Sequence, residues 1–170
     1  MTDEPSLTLF GGHRRLASGS GDAVAKAARA ALAADPAVRL LVFDDRTGRQ
    51  VDLDLRPPAP AKKAGRPKLG VVSREVTLLP RHWDWLAEQP GGASVALRRL
   101  IEAARRDPAE SRRAAHEAAY RVLSALAGDL PGFEEACRAL FADDREGFQA
   151  NTAGWPGDVR DHALGLLGWA

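Results

Sequence analysis

The sequence predicts an α+β protein with three parts: a small N-terminal β-α-β-β unit, a basic middle region and an all-helical C-terminal region. Three observations favour this division. Before residue 56, short apolar or alternating runs surround one helical stripe, which is typical of strands around a helix. Four prolines fall within residues 56–70, where no core is expected. From residue 107 onwards, apolar residues recur at helical spacing.

The N-terminal unit, residues 1–55, is predicted from its apolar spacing. A short strand is expected at SLTLF, residues 6–10, because its apolar residues alternate. A loop is predicted for ASGSGD, in which Ser20 or Asp22 caps a helix over AVAKAARAALAA. After Asp35-Pro36 ends that helix, a buried strand is expected at VRLLVFD. The turn DRTG and the alternating strand RQVDLDL would complete a hairpin.

The linker, residues 56–70, is predicted to be extended and semi-rigid because of its prolines. It also belongs to the strongest charge feature of the chain. Residues 56–106 hold eleven Lys/Arg and four Asp/Glu, whereas residues 1–55 hold seven and eight, and residues 107–170 hold six and eleven. The formal net charge is only +1. Positive charge is therefore concentrated in one segment, which favours a polyanionic partner.

The segment 71–106 predicts a strand, a helix, a tight turn and a second helix. The strand candidate is VVSREVTLL. Pro80 suits the first position of the helix PRHWDWLAEQ, and the following PGG breaks that helix. The second helix covers ASVALRRLIEAARR, where Leu97, Leu100, Ile101 and Ala104 have the spacing i, i+3, i+4, i+7.

The C-terminal region, residues 107–170, predicts a series of helices. The first begins at Asp107-Pro108, where a capping box is expected, and runs to about Leu126. The apolar stripe from Phe133 to Phe141 predicts the next helix. Asp143 is expected to cap a short helix, and Trp155-Pro156 is expected to open the last one.

The order of elements within residues 73–106, SREVTLLPRHWDWLAEQPGGASVALRRLIEAARR, resembles the ribbon-helix-helix family of DNA-binding proteins. In that family, the strand pairs antiparallel with its twin in a second chain, and the ribbon enters the major groove of double-stranded DNA. The resemblance therefore implies a homodimer, because a lone strand leaves its backbone groups unpaired. The alternative for the same residues is a helical hairpin within a larger core.

The resemblance also implies which residues contact DNA. If Val76 and Leu78 face the dimer core, strand alternation places Ser73 and Thr77 on the outward face, where the family reads bases. The start of the second helix would bind a phosphate through its backbone N–H groups and helix dipole. The phosphate contacts implied for this segment are Arg74, Arg81, Gly92 and Ser94.

The linker resembles the AT-hook, a Gly-Arg-Pro motif with basic flanks that lies extended in the narrow minor groove of A·T-rich DNA. Proline fixes the extended backbone, and arginine suits the negative potential of a narrow groove. The implied DNA contacts of this arm are Lys62, Lys63, Arg66, Pro67 and Lys68. The alternative is a solvated basic linker.

Two longer stretches carry a resemblance at the scale of the whole chain. They are GRPKLGVVSREVTLLPRHWDWLAEQPGGASVALRRLI and, near the C-terminal end, WPGDVRDHAL. Both resemble the bacterial family called domain of unknown function 2239. The resemblance implies no particular activity, but it does imply that the three parts form one unit.

Other chemically active residues receive structural interpretations. Cys137 lies on an apolar stripe and is interpreted as a core residue. The histidines lack metal-ligand spacing, and surface or packing roles are expected for His13, His82, His116 and His162. The charged group around Asp158 and Asp161 is interpreted as a salt-bridged face or a partner surface. No catalytic site, metal or cofactor is predicted, and no enzymatic activity.

The sequence therefore predicts a homodimeric DNA-binding protein of the bacterial cytoplasm and nucleoid, either a transcriptional regulator or an architectural protein. No apolar run approaches the roughly 18 residues that a membrane span needs, and the acidic stretch MTDEPSLTLF predicts no secretory signal. The alternative function is a non-enzymatic protein-interaction module that binds no nucleic acid.

Overall fold

The computed structural model describes residues 6–56 and 74–170. The chain divides into two compact units: unit 1 is Met1–Leu55 with Ser111–Ala170, and unit 2 is Arg56–Glu110. In chain order, the described elements are β1 (Leu7–Gly11), β2 (Arg14–Gly19), α1 (Gly21–Ala34), β3 (Leu40–Asp44), α2 (Pro80–Ala87), α3 (Gly92–Arg105), α4 (Pro108–Leu126), α5 (Phe133–Phe141), α6 (Arg145–Asn151) and α7 (Gly157–Leu167). The predicted α+β class is confirmed at this level. None of the described helices is long and apolar enough to cross a membrane.

The sheet of unit 1 has three antiparallel strands in the order β2-β1-β3. β1 lies in the centre because it is the most apolar of the three, and its residues Leu7 to Phe10 are all buried. Alternation along β1 sends Leu7 and Leu9 to one face and Thr8 and Phe10 to the other. The pairing with β2 slips by one residue after Leu9, as in a β-bulge.

The two faces of the sheet support two apolar clusters. On the face of Leu7 and Leu9, the sheet packs against α1 through Val24 and Ala28. On the opposite face, Phe10 and Phe43 join a larger cluster with residues of the C-terminal helices, including Ala119, Val122, Leu123, Leu126, Ala136, Leu140, Phe148, Val159 and Ala163. Because both faces are covered, unit 1 buries both apolar clusters within its own chain.

The predicted β-α-β-β order differs from the observed order, in which two strands precede α1. β2 comes partly from the residues that the sequence predicted to be a loop. The predicted strand RQVDLDL pairs only at its beginning, through a bridge between Gln50 and Phe43 and a 2.9 Å hydrogen bond from the N–H of Val51 to the carbonyl of Val42. β2 was missed because it is a partly exposed edge strand, so it lacks the apolar alternation on which the prediction relied.

Several predicted helix caps are observed. Ser20 caps α1, where its hydroxyl accepts a hydrogen bond from the N–H of Ala23. The carboxylate of Asp107 accepts from the N–H of Ala109 at 2.9 Å, at the start of α4. At α6 the prediction was wrong by one residue, because Asp144 is the cap and accepts from the N–H of Gly147 at 2.9 Å.

Candidate nucleic-acid interface

The helical hairpin of unit 2, formed by α2 and α3, contains the described part of the predicted DNA-binding segment. α2 begins at Pro80, as predicted, because the preceding Leu79 has an extended backbone and proline suits the first helical position. The buried residues of the two helices are Leu86 on α2 and Ala96 on α3. The hairpin therefore packs on itself through a small contact.

The turn between the two helices depends on adjacent glycines. Gly91 and Gly92 have φ angles of 84° and 75°, in the left-handed region that favours glycine. A Cβ at Gly91 would lie 3.1 Å from the side chain of Val95. The N–H of Gly92 donates to the carbonyl of Gln89 at 2.9 Å. This N–H is therefore engaged in the turn, although the sequence predicted that it would bind phosphate.

The apolar residues of unit 2 are unusually exposed. Seven of the nine large hydrophobic residues that are exposed among the described residues belong to this unit: Val76, Leu79, Trp83, Trp85, Val95, Leu100 and Ile101. Val76 and Ile101 are each 56% exposed, and the two tryptophans exceed 40%. Monomeric proteins rarely leave such a concentration of apolar side chains in water.

The segment before α2, residues 74–79, forms no strand in the described chain. The sequence predicted a strand over residues 71–79, of which 71–73 lie outside the described residues. A strand exists only through its hydrogen-bonded neighbour, and none of the described strands lies beside this segment. Val76 is exposed and Leu78 is half-buried, so the side chains predicted to face a twin strand are incompletely covered.

The predicted DNA contacts separate into two groups. Those of the arm and the first outward strand position lie outside the described residues: Lys62, Lys63, Arg66, Pro67, Lys68 and Ser73. The other five are described. Arg74, Thr77, Arg81 and Ser94 have exposed side chains, and Gly92 is half-buried. Glu75, a carboxylate, is exposed between Arg74 and Thr77, where it would oppose a nearby phosphate.

The charges of the described hairpin are balanced, with six Lys/Arg and six Asp/Glu over residues 74–110. Several arginines also contact the hairpin itself: Arg98 donates to the carbonyl of Ser94 at 3.0 Å, and Arg99 donates to the side chain of Gln89 at 3.2 Å. Arg105 pairs with Glu102 at 3.0 Å. The positive surplus of the middle region therefore comes from residues 56–73, which hold five Lys/Arg and no Asp/Glu.

Unit 1 contains a buried polar cluster that the sequence did not predict. The side chain of His162 on α7 is 7% exposed, and it lies near Asp45, which directly follows β3. Burial lowers the pKa of His162; the Asp45 carboxylate opposes this effect and Arg15 adds to it. Sequence spacing gave no signal, because these residues come from three separate elements.

Cys137 and His116 are two further chemically active residues of unit 1. Burial raises the pKa of the Cys137 thiol, and the nearby charge of Glu134 raises it further. The thiol therefore stays protonated at neutral pH, which makes it a poor nucleophile. His116 lies 3.3 Å from the carboxylate of Asp143 and packs edge-on against Phe141 and Trp169. These contacts agree with the packing role predicted for His116.

A comparison with known families gives one match. The profile of a family described as an uncharacterised protein conserved in bacteria (DUF2239) matches residues 6–59 and 56–167. The chain belongs to the DUF2239 family. The match includes residues of both units and of the basic arm, so the family profile extends over all three regions of the chain. No curated protein and no solved structure matches the chain.

Proposed function

We propose that this DUF2239 protein is a homodimeric DNA-binding protein. In this proposal, residues 71–106 of two chains form a ribbon-helix-helix module, and the basic arm before it lies in the minor groove of adjacent A·T-rich DNA. The observation that carries the proposal is the exposed apolar surface of the hairpin. The same unit contains residues 74–79, which pair with none of the described strands, and one half of an intertwined dimer would leave both features uncovered.

A second copy of the chain suits this surface better than an unrelated partner. Two antiparallel copies of residues 71–79 would satisfy each other's backbone groups, and alternation would bring Val76 and Leu78 of both copies together. The balanced charge of the described hairpin permits close approach of two identical surfaces, since no net repulsion acts between them.

Electrostatics supports DNA as the ligand of this dimer. Two chains would bring two arms, each with five Lys/Arg and no Asp/Glu over residues 56–73, to one side of a short ribbon. Lys and Arg contacts with phosphates release condensed counterions, so they supply affinity without sequence specificity. Ser73 and Thr77 would supply base contacts, whereas Glu75 limits them. We therefore expect modest sequence specificity, which both a regulator and an architectural protein can use.

The second candidate is a protein-interaction module that binds no nucleic acid. The exposed tryptophans of α2 favour it, because tryptophan is enriched where proteins bind other proteins. In this case the apolar surface of unit 2 would bind another protein, and the arm would be a solvated tether. Neither candidate requires a cofactor.

Salt-dependent binding of an A·T-rich duplex separates the two candidates. We expect an electrophoretic shift that weakens steeply between about 50 and 300 mM salt. Replacing Lys62, Lys63, Arg66 and Lys68 with Ala should reduce the slope of log K against log salt by about 3 to 4 for each arm on the DNA, and so by about 7 for the dimer, since each lost phosphate contact contributes about 0.9.

A matched variant removes the same charge elsewhere. Lys26, Arg46, Arg112 and Arg145 are exposed side chains of unit 1, and their replacement with Ala should leave the slope within about one unit of the wild type. Equal losses in both variants would show that net charge alone drives binding. If the wild-type protein shifts no duplex at any salt concentration, DNA binding is wrong and the interaction module remains.

A further inference from the structure

A polar pocket lies in unit 1, between α7 and the sheet. Its volume is about 400 Å³, which is within the range of small-molecule sites. It opens beside the edge strand β2. The residues that line it are Thr8, Arg15, Ser18, Asp45, Asp161, His162, Gly165 and Leu166. Six of these eight residues have polar or charged side chains, on a sheet face that is otherwise packed with apolar groups.

Two separate hydrogen bonds involve residues that line the pocket. Thr8 is 1% exposed, and its hydroxyl lies 3.0 Å from that of Ser18 on the neighbouring strand. Asp45 accepts a 2.7 Å hydrogen bond from the hydroxyl of Ser6 through Oδ2. Buried polar groups destabilise a core unless they are paired. The bond to Ser18 pairs the buried hydroxyl of Thr8.

Two atoms in the pocket wall have no hydrogen-bond partner among the described residues: Oδ1 of Asp45 and Nε2 of His162. They are 3.8 Å apart, which is too long for a hydrogen bond. The edge-on contact of His162 with Phe10, at 5.4 Å between ring centroids, holds the imidazole beside the carboxylate. Unpaired polar atoms in a closed site are uncommon in native proteins and point to a function.

Charges of both signs line the pocket. Arg15 on β2 supplies a cation. Asp45 and Asp161 supply carboxylates, although Asp161 also pairs with Arg160 at 3.2 Å. The N–H of Arg15 donates to the carboxylate of Asp158 at 2.9 Å and so fixes β2 to the first turn of α7. A ligand with one positive and one negative group would match this lining of both signs.

We propose that the pocket binds a small zwitterion with an ammonium and a carboxylate group, the chemistry of a free α-amino acid. The carboxylate would pair with Arg15. The ammonium would donate to Oδ1 of Asp45 and to Nε2 of neutral His162, two acceptors close enough for one donor group. Leu166 gives the ligand's side chain an apolar contact. This site lies within unit 1 and does not depend on DNA binding.

Binding must move the His162 ring. Both unpaired atoms are closed to solvent, so an ammonium reaches them only when the imidazole shifts enough to admit the donor between Nε2 and Oδ1 of Asp45. The ring signals of His162 in an NMR spectrum therefore report binding directly. They are assigned by their loss in His162→Gln, since the chain has four histidines.

The experiment titrates the full chain with L-alanine and with L-leucine. We expect saturable shifts of the His162 signals with both. The N-acetyl and carboxamide derivatives of the same amino acids should bind at least about 10-fold more weakly, because each loses one charge-assisted contact. Saturation by acetate or ethylamine at the same concentrations as the amino acids would overturn the zwitterion assignment. The absence of saturable shifts up to about 10 mM would overturn the site itself.

Variants locate the binding within the pocket. Asp45→Asn and Arg15→Ala should each weaken binding by about 10-fold or more. Arg14→Ala is the matched control, because Arg14 is the neighbouring exposed cation and does not line this pocket. Arg15 is itself exposed, so its variant should keep the wild-type circular dichroism. Equal binding by Arg14→Ala and Arg15→Ala would contradict the proposal.

Discussion

The helices of unit 1 and of unit 2 have the same apolar periodicity, but their apolar faces are buried to different extents. In unit 1, the stripes of α1 and of the C-terminal helices cover both faces of the sheet, and fourteen buried residues form its larger cluster. In unit 2, α2 and α3 bury one residue each and leave five large hydrophobic residues exposed. An apolar stripe therefore predicts that a helix will be covered, but it does not predict whether the cover comes from the same chain.

The difference has an energetic consequence. A two-helix hairpin buries too little apolar area to balance its own conformational entropy. Unit 1 can be stable through its own core, whereas the hairpin needs further contacts to be well ordered. Substitutions should therefore act on the folding of unit 1 and on the association of unit 2.

The largest expected effect comes from a pair of glycines, one in each unit. Gly48 is buried at a φ of 64°, and an added Cβ would overlap the backbone carbonyl of Ala118 on α4. Gly48→Ala should destabilise the protein by about 3 kcal/mol or more, through backbone strain and overlap. Gly92 has a φ of 75°, but its Cβ would meet no atom within 4 Å. Gly92→Ala should cost only about 1 kcal/mol.

Urea unfolding followed by circular dichroism measures both changes in the free energy of unfolding. Lys26→Ala is a control for the general effect of substitution in unit 1, because it shortens an exposed side chain on α1 without changing φ. Equal losses of unfolding free energy in Gly48→Ala and Gly92→Ala would contradict the contrast between the packed unit 1 and the loosely packed unit 2.

The second prediction tests the proposed dimer interface of unit 2 with substitutions at two adjacent residues. Val76→Glu places a carboxylate in the proposed dimer core in both chains, and it should weaken dimerisation by about 100-fold or more. Thr77→Glu places the same carboxylate on the outward face, so it should leave the dimer intact and weaken only DNA binding. Sedimentation equilibrium of both variants measures the dissociation constant.

A reversal of these two results would mean that the strand faces were assigned in the wrong register. If the wild-type protein is a monomer at every concentration, the ribbon proposal fails. The exposed apolar surface would then belong to the interface with a different protein.

Local signals predicted the helices well. Pro80 and Pro108 mark the first residues of α2 and α4, and Ser20 caps α1 as expected. These signals succeed because proline and cap geometry act within a few residues. The predicted order of strands and helix differs from the observed one because β2 was not predicted. Its own residues show no strand pattern, and β2 is a strand because of its hydrogen bonds to β1.

The sites were less predictable than the helices. The sequence predicted the arm and the outward strand positions from local motifs, and these remain predictions. It missed the pocket of unit 1, because Asp45, Arg15 and His162 meet only through the packing of α7 on the sheet. When tertiary structure brings distant residues together, their separation in a single sequence gives no signal of the site.

The third prediction concerns a helix cap in unit 1. The side chain of Asp144 accepts the 2.9 Å hydrogen bond from Gly147, and its charge suits the start of α6. Asp144→Ala should lower the free energy of unfolding by about 1 kcal/mol, and Asp144→Ser should restore most of it. Unfolding in urea at neutral pH measures both. An equal loss in the serine variant would assign the effect to charge instead of capping.

The smallest expected effect is the pH dependence that His162 gives to unit 1. Burial lowers the pKa of His162 in the folded state, so the unfolded state takes up a proton at higher pH. The stabilising contribution is therefore complete above the unfolded pKa of about 6.5 and is lost as the pH falls below it. Thermal unfolding between about pH 7.5 and 5 should show this loss, and His162→Gln should flatten the curve.

Two further variants test the cause of this pH dependence. The Asp45 carboxylate partly restores the pKa of His162, so Asp45→Asn should steepen the loss of stability at low pH. Arg15 acts in the opposite direction, and Arg15→Ala should make the loss shallower. His13→Gln is the control, because His13 is exposed and outside the His162 pocket. If Asp45→Asn and Arg15→Ala changed the pH dependence in the same direction, these charges would not be acting through the protonation of His162.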